Sequence, residues 1–159
     1  SVAIKQLQKE IFEKQIDLAV EKGLPLILHV RPKAGTMDAY EDVLDILESK
    51  NDARIKGDVH FFVGTPEIAQ RFLNLGFSMS FTGVITFARD YDETIKMLPI
   101  EKILTETDAP FVTPEPFRGQ TCEPWMVQEV VRKIAEIKGL DEAVVRQQII
   151  KNTKNLFNI

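Results

Sequence analysis

Apolar positions along the chain fall into two alternating spacings. From Ile4 to Lys22, Leu7, Ile11, Leu18 and Ala19 recur near helical spacing, and Gly23 follows as a C-cap. Leu24 to Val30 is then a short, nearly unbroken apolar run between turn residues, which predicts a strand covered on both faces. Thr36 to Ser49 returns to a helical stripe through Tyr40, Val43, Leu44 and Leu47, and Gly57 to Val63 predicts the second strand. Thr65-Pro66-Glu67 opens the next helix with an N-cap hydroxyl, a proline in the first turn and an acid at the positive dipole end; Gly76 closes it. Phe77 to Phe81 predicts a third strand, Asp90 to Leu98 a short helix, and Lys102 to Thr107 a fourth strand. The proline-rich stretch from Ala109 to Pro124 is expected to be a functional loop. Helices follow from Glu123 to Lys138, closed by Gly139, and from Asp141 to about Ile150, with one last turn over Asn152 to Phe157.

Strands alternating with helices imply βα units, a parallel sheet and right-handed crossovers. A doubly wound sheet and a (β/α) barrel both fit that order. A doubly wound nucleotide binder would carry a glycine-rich turn after its first strand, and His29-Val30-Arg31-Pro32-Lys33-Ala34-Gly35 has none. The expected fold class is therefore α/β, of the barrel type.

The 159 residues suit a single domain, residues 1–159, large enough to bury one core without staples. The formal charge of −4 argues against a passive nucleic-acid coat or a polybasic membrane binder, both of which need a cationic face. It leaves room for a nucleic-acid enzyme, because bound divalent cations supply positive charge locally. The lone Cys122 excludes an intrachain disulfide and points to a reducing, cytoplasmic setting. No apolar run approaches the ~18 residues of a membrane span, so no membrane partner is expected. Ser1 in place of an initiating methionine suggests that something upstream has been removed.

Both histidines, His29 and His60, fall at or near the carboxyl ends of expected strands, and Asp108 directly follows the fourth. Catalytic groups of barrels gather at that rim, and two neutral imidazoles with a carboxylate suit a divalent metal. Taken singly, each histidine would as readily be a core or surface residue; their shared placement is what argues for more. Glu106 lies two residues before Asp108, so the two share a face if the strand persists, and could divide ligand and general-base work. Arg31 has the parity of Ile27 and His29 and could grip an anion, although a surface ion pair accounts for it as well. Arg118 sits in the rigid Glu115-Pro116-Phe117-Arg118-Gly119 segment, where it would suit a phosphate. Trp125 is expected to be a packing anchor. Cys122 has no neighbouring histidine to support a thiol nucleophile, and no phosphate-binding Walker loop, zinc ribbon or G-x-S-x-G elbow is present.

These residues carry a resemblance. Leu24-Pro25-Leu26-Ile27-Leu28-His29-x-Arg31, Val59-His60-Phe61-Phe62-x-Gly64, Leu75-Gly76-Phe77-x-x-Ser80-Phe81-x-Gly83, Glu106-Thr107-Asp108-Ala109-Pro110-Phe111 and Pro116-Phe117-Arg118-Gly119 resemble, in order, motifs of the TatD family of metal-dependent deoxyribonucleases. The resemblance implies a (β/α)8 barrel similar to the amidohydrolases, cleaving DNA phosphodiesters with one or two divalent ions (Mg, Mn or Zn) at the C-terminal rim. It implies His29, His60 and Asp108 as metal ligands, Asp108 also as base, Glu106 as a nearby acid required for activity, and Arg31 and Arg118 as phosphate or structural partners. The family's His-x-His on its first strand and its Gly-Glu-x-Gly-Leu-Asp motif are missing. The chain thus looks like strands five to eight, the C-terminal half of the barrel, expected to pair with its missing half or to self-associate. Phe61 stands where Cys is usual, Val63 where Ser is common, Pro32 where an Asp often follows the Arg, and Cys122 where Asn often precedes Glu-Pro. Two other functions remain open: hydrolysis of a small ester or amide, and an inactive half-barrel scaffold.

Overall fold

Each apolar run forms a strand shorter than itself, and each of the first three strands is followed by a helix that returns the chain to the start of the next. The computed structural model describes residues 2–159. Its elements are α1 (Val2–Lys22), β1 (Leu26–His29), α2 (Asp38–Lys50), β2 (Gly57–His60), α3 (Pro66–Asn74), β3 (Ser78–Phe81), α4 (Asp92–Met97), β4 (Ile103–Thr105), α5 (Val127–Lys138) and α6 (Glu142–Phe157). The strands form one parallel sheet in the order β1-β2-β3-β4, with Ile27 opposite Asp58, His29 opposite His60 and Ser80 opposite Leu104. This is an α/β arrangement consistent with part of a TIM-type barrel. No helix among the described residues is long and apolar enough to cross a membrane.

Strand alternation divides the sheet into two unlike faces. Val59, Met79, Phe81 and Ile103 are fully buried against the helices. Behind them Tyr40, Phe62, Phe72 and Phe77 form an aromatic cluster with ring centroids 5.3–6.4 Å apart, within the range where tilted and edge-on pairs attract. The buried Tyr40 hydroxyl accepts the Val63 N–H at 3.0 Å, and burial pushes its pKa up to about 12, so it stays a neutral hydroxyl. The other face carries His29, Asp58, His60, Ser80 and Glu106.

Two expectations need correction. β1 is not covered on both faces: Leu28 is buried, but Ile27 is 63% exposed. Beside it a cavity of about 970 Å³ opens between α1, β1 and α2, lined by Phe12, Leu24, Ile27 and Val43. The apolar stripe of α1, through Ile4, Leu7, Ile11 and Leu18, is likewise exposed. An apolar run signals two-sided burial only where a second layer exists, and among the described residues none covers this side. The C-terminal helices differ as well. Pro124–Met126 is a separate 3₁₀ turn before α5, whereas α6 runs unbroken to Phe157. Asn152 does not end α6 because its side-chain amide donates to the Ile100 and Ile103 carbonyls at 2.7 and 2.8 Å, tying the helix to β4.

Gly57 shows how tightly β1 and β2 meet. A Cβ there would overlap the Leu26 carbonyl and approach the Phe77 ring to 2.8 Å. Gly57→Ala is expected to destabilise the fold by about 1–3 kcal/mol, seen as a lower urea midpoint at unchanged slope.

Candidate active site

β2 ends at His60 because the next residue turns. Phe61 has φ +50°, a left-handed conformation that costs a phenylalanine roughly 1 kcal/mol or more. That turn carries the Phe61 N–H out of the ladder, and it donates to Glu106 Oε1 at 2.6 Å. Glu106 lies one residue past β4, yet its own N–H donates to the Phe81 carbonyl at 3.1 Å, so the sheet pairing still directs its side chain. The other carboxylate oxygen, Oε2, lies 2.6 Å from His60 Nδ1. Ser80 Oγ, from β3, lies 2.9 Å from Glu106 Oε1. Three groups from the end of β2 and from β3 therefore converge on one carboxylate.

The other ring nitrogen, His60 Nε2, faces Asp108 Oδ1 across 3.9 Å. With Glu106 occupying Nδ1, the free nitrogen points to the rim side of the ring, where Asp108 stands. The His29 ring, from the register-matched position of β1, is 5.5 Å from the His60 ring between centroids and is exposed. His60, Glu106 and Asp108 are thus brought together, with His29 adjacent.

The arginines lie on the rim loops and are held by aromatic faces. The Arg31 guanidinium sits 5.3 Å from the Phe61 ring centre, and that of Arg118 3.9 Å from the Phe87 ring centre. Arg118 Nη1 also donates to the Thr113 carbonyl at 2.7 Å, which braces the proline-rich loop from within. Trp125 packs edge-on against Phe117 at 5.1 Å while staying 46% exposed. Cys122 is buried, and burial raises its thiol above the ordinary range, so it has no thiolate character to offer.

Two further residues, Asp58 and Ser80, join the site in three dimensions. Asp58 is 3% exposed, and its Oδ2 lies 2.7 Å from Ser80 Oγ. Its Oδ1 has no hydrogen-bond partner. Burial pushes the Asp58 carboxyl up to about 8; the Ser80 hydrogen bond opposes that rise and the nearby Glu106 charge adds to it. The sequence held one signal, a charged residue at the parity of His60 inside an otherwise apolar strand.

Two imidazoles and a carboxylate are the donor types that a divalent cation takes. The side chains meet that requirement in part. His60 Nε2 and Asp108 Oδ1 face each other, but among the described residues no group of three or more histidine, cysteine, aspartate or glutamate side chains converges closely enough to hold a metal ion.

The chain is similar to known proteins. The family model described as TatD related DNase matches residues 3–158. The uncharacterized metal-dependent hydrolase YabD of Bacillus subtilis is 40% identical over 157 residues, covering 98% of this chain and 59% of the relative. YcfH of Escherichia coli, also an uncharacterized metal-dependent hydrolase, is 34% identical over 154 residues, covering 96% of this chain and 56% of the relative. The crystal structure of the TatD homologue YJJV from Escherichia coli superposes with a TM-score of 0.85 at 29% identity, over 97% of this chain and 57% of that one. The chain therefore spans somewhat more than half the length of the relatives it matches, and it belongs to the TatD-related DNase family of metal-dependent hydrolases.

Proposed function

We propose that this chain is the C-terminal half of a TatD-type (β/α)8 barrel, roughly strands five to eight, and that the whole protein hydrolyses DNA phosphodiester bonds with one or two bound divalent ions. The carrying observation is the convergence of His60, Glu106 and Asp108 at the carboxyl ends of parallel strands, within a chain that matches the TatD family along nearly its whole length. The open side at β1 and the exposed α1 stripe are where the remainder of the barrel, or a second copy, would pack.

His29, His60 and Asp108 are the residues that would hold the metal, Mg, Mn or Zn; the two imidazoles favour Zn or Mn over the oxygen-seeking Mg. A bound cation supplies charge stabilisation to the phosphoryl oxygens and makes water a better nucleophile. Glu106 keeps the Nδ1 proton of His60 in place, so that Nε2 presents its lone pair. Asp108 accepts the proton of the attacking water, and Arg31 and Arg118 grip the phosphate. Both guanidiniums are steadied by ring faces, which restricts them before substrate arrives.

The test is a parallel assay of an oligonucleotide and of small ester and amide substrates, with Mn²⁺ and after chelation. Cleavage of the oligonucleotide that is lost on chelation and restored by Mn²⁺ is the expected result. Turnover of the small substrates alone would replace the nuclease by a small-molecule amidohydrolase. No metal-dependent turnover of either would leave a scaffold.

A further inference from the structure

Ser80 has a single proton and stands between two carboxyl groups, 2.7 Å from Asp58 Oδ2 and 2.9 Å from Glu106 Oε1. The Val59 carbonyl is a more distant third neighbour at 3.4 Å. Hydrogen bonds on both sides of the hydroxyl require a second proton. Glu106 has little use for it: its Oε1 already accepts the Phe61 N–H, and its Oε2 faces His60 Nδ1. A proton on Asp58 completes the chain without conflict, and a neutral Asp58 also lowers the cost of leaving Oδ1 without a partner in a buried place.

We infer that Asp58 and Ser80 are positioning residues of this site: the Asp58 carboxyl donates to Ser80, Ser80 donates to Glu106, and the carboxylate so held keeps His60 in its Nδ1–H tautomer with Nε2 open toward Asp108. The geometry of the chain is independent of any metal; its value to function rests on the reading of His60 as a ligand. Ser80 and Asp58 touch neither substrate nor metal in this scheme. They act through Glu106, and Glu106 acts through the ring.

The experiment is a two-bond ¹H–¹⁵N correlation spectrum of the histidines in the metal-free protein, above the ordinary imidazole range of about 6.5. His29, outside the chain of hydrogen bonds, serves as the internal reference. In the wild type, His60 is expected to show one tautomer, protonated at Nδ1. Ser80→Ala and Asp58→Leu are expected to shift it toward a mixture of tautomers. Asp58→Asn, whose amide can donate to Ser80 in place of the acid, is expected to retain the single form. Titration with Co²⁺, followed by its visible absorption, should then show about tenfold weaker binding in Ser80→Ala and Asp58→Leu and near wild-type binding in Asp58→Asn. An Nε2–H or mixed His60 in the wild type overturns the inference. So does a wild-type tautomer pattern in both Ser80→Ala and Asp58→Leu, or an Asp58→Asn protein as perturbed as Asp58→Leu. A single Nδ1–H tautomer that responds to the variants in a protein that binds no Co²⁺ upholds the positioning chain and removes the metal reading instead.

Discussion

His60→Ala is expected to lower Mn²⁺-dependent cleavage of an oligonucleotide by on the order of 10³-fold, since a metal's share of transition-state stabilisation is several kcal/mol and each tenfold in rate is about 1.4 kcal/mol. The expectation follows from the double engagement of the ring. Its Nε2 faces Asp108 and its Nδ1 meets Glu106. Removing the ring takes away one donor and also leaves Glu106 Oε2 without its partner, while Oε1 stays held by the Phe61 N–H and Ser80. Asp108→Asn and His29→Ala are expected to lose most of the activity as well. The aromatic core lies on the opposite face of the sheet, so far-ultraviolet circular dichroism of all three variants should match the wild type. Normal cleavage by His60→Ala or Asp108→Asn would show that the ligand assignment is wrong.

Asp58→Asn is expected to stabilise the protein at neutral pH, the reverse of what loss of a buried polar contact usually does. The folded-state carboxyl is pushed up to about 8 by burial, whereas an unfolded aspartate ionises near 3.9. Across that window the folded chain holds a proton that the unfolded chain has released. The aspartate's contribution to stability is thus fully present below the unfolded value and is lost as pH rises through about 8. An asparagine has no such loss. At pH 7 the difference has a ceiling of roughly three pK units, so the variant should gain about 2–4 kcal/mol after relaxation. Urea unfolding across pH should show the gap between variant and wild type widening from about pH 4 and levelling off above about 8. A gap that does not vary with pH would mean that Asp58 is ionised in the folded protein.

The strands were legible as apolar runs, because burial against helices demands such runs whatever the loops do. Their ends were not. β2 stops at His60 through a backbone turn at Phe61, and no property of a phenylalanine announces a positive φ. The positions of His29, His60, Glu106 and Asp108 near the strand ends could likewise be read from spacing. Which of them meet depends on register and rotamer, and these place Glu106 on one nitrogen of His60 and Asp108 opposite the other. Ser80 belongs to one of the motifs, but its role and that of Asp58 are not legible in the sequence, for a different reason. A serine in a strand is unremarkable until the carboxyls on either side of it are known, and those come from residues 22 positions earlier and 26 later. Arg118 could be read as a rim cation, but its stacking on Phe87 joins residues far apart in the chain.

The Phe61 amide has a consequence for how sequences of this kind vary. At this position the group that holds Glu106 is the backbone N–H, which every residue except proline possesses. For the hold on Glu106 the side chain can therefore change while the left-handed turn that aims the amide cannot; what such a change removes is the ring face beside Arg31. A phenylalanine where the family resemblance leads one to expect cysteine leaves the hold on Glu106 intact, so that departure does not by itself speak against the chemistry. The opposite holds for Glu106, where even a shift to aspartate would shorten the reach to His60. Two residues that touch the same hydrogen bond would thus leave opposite marks in an alignment, one apparently dispensable and one apparently fixed, although the site needs both.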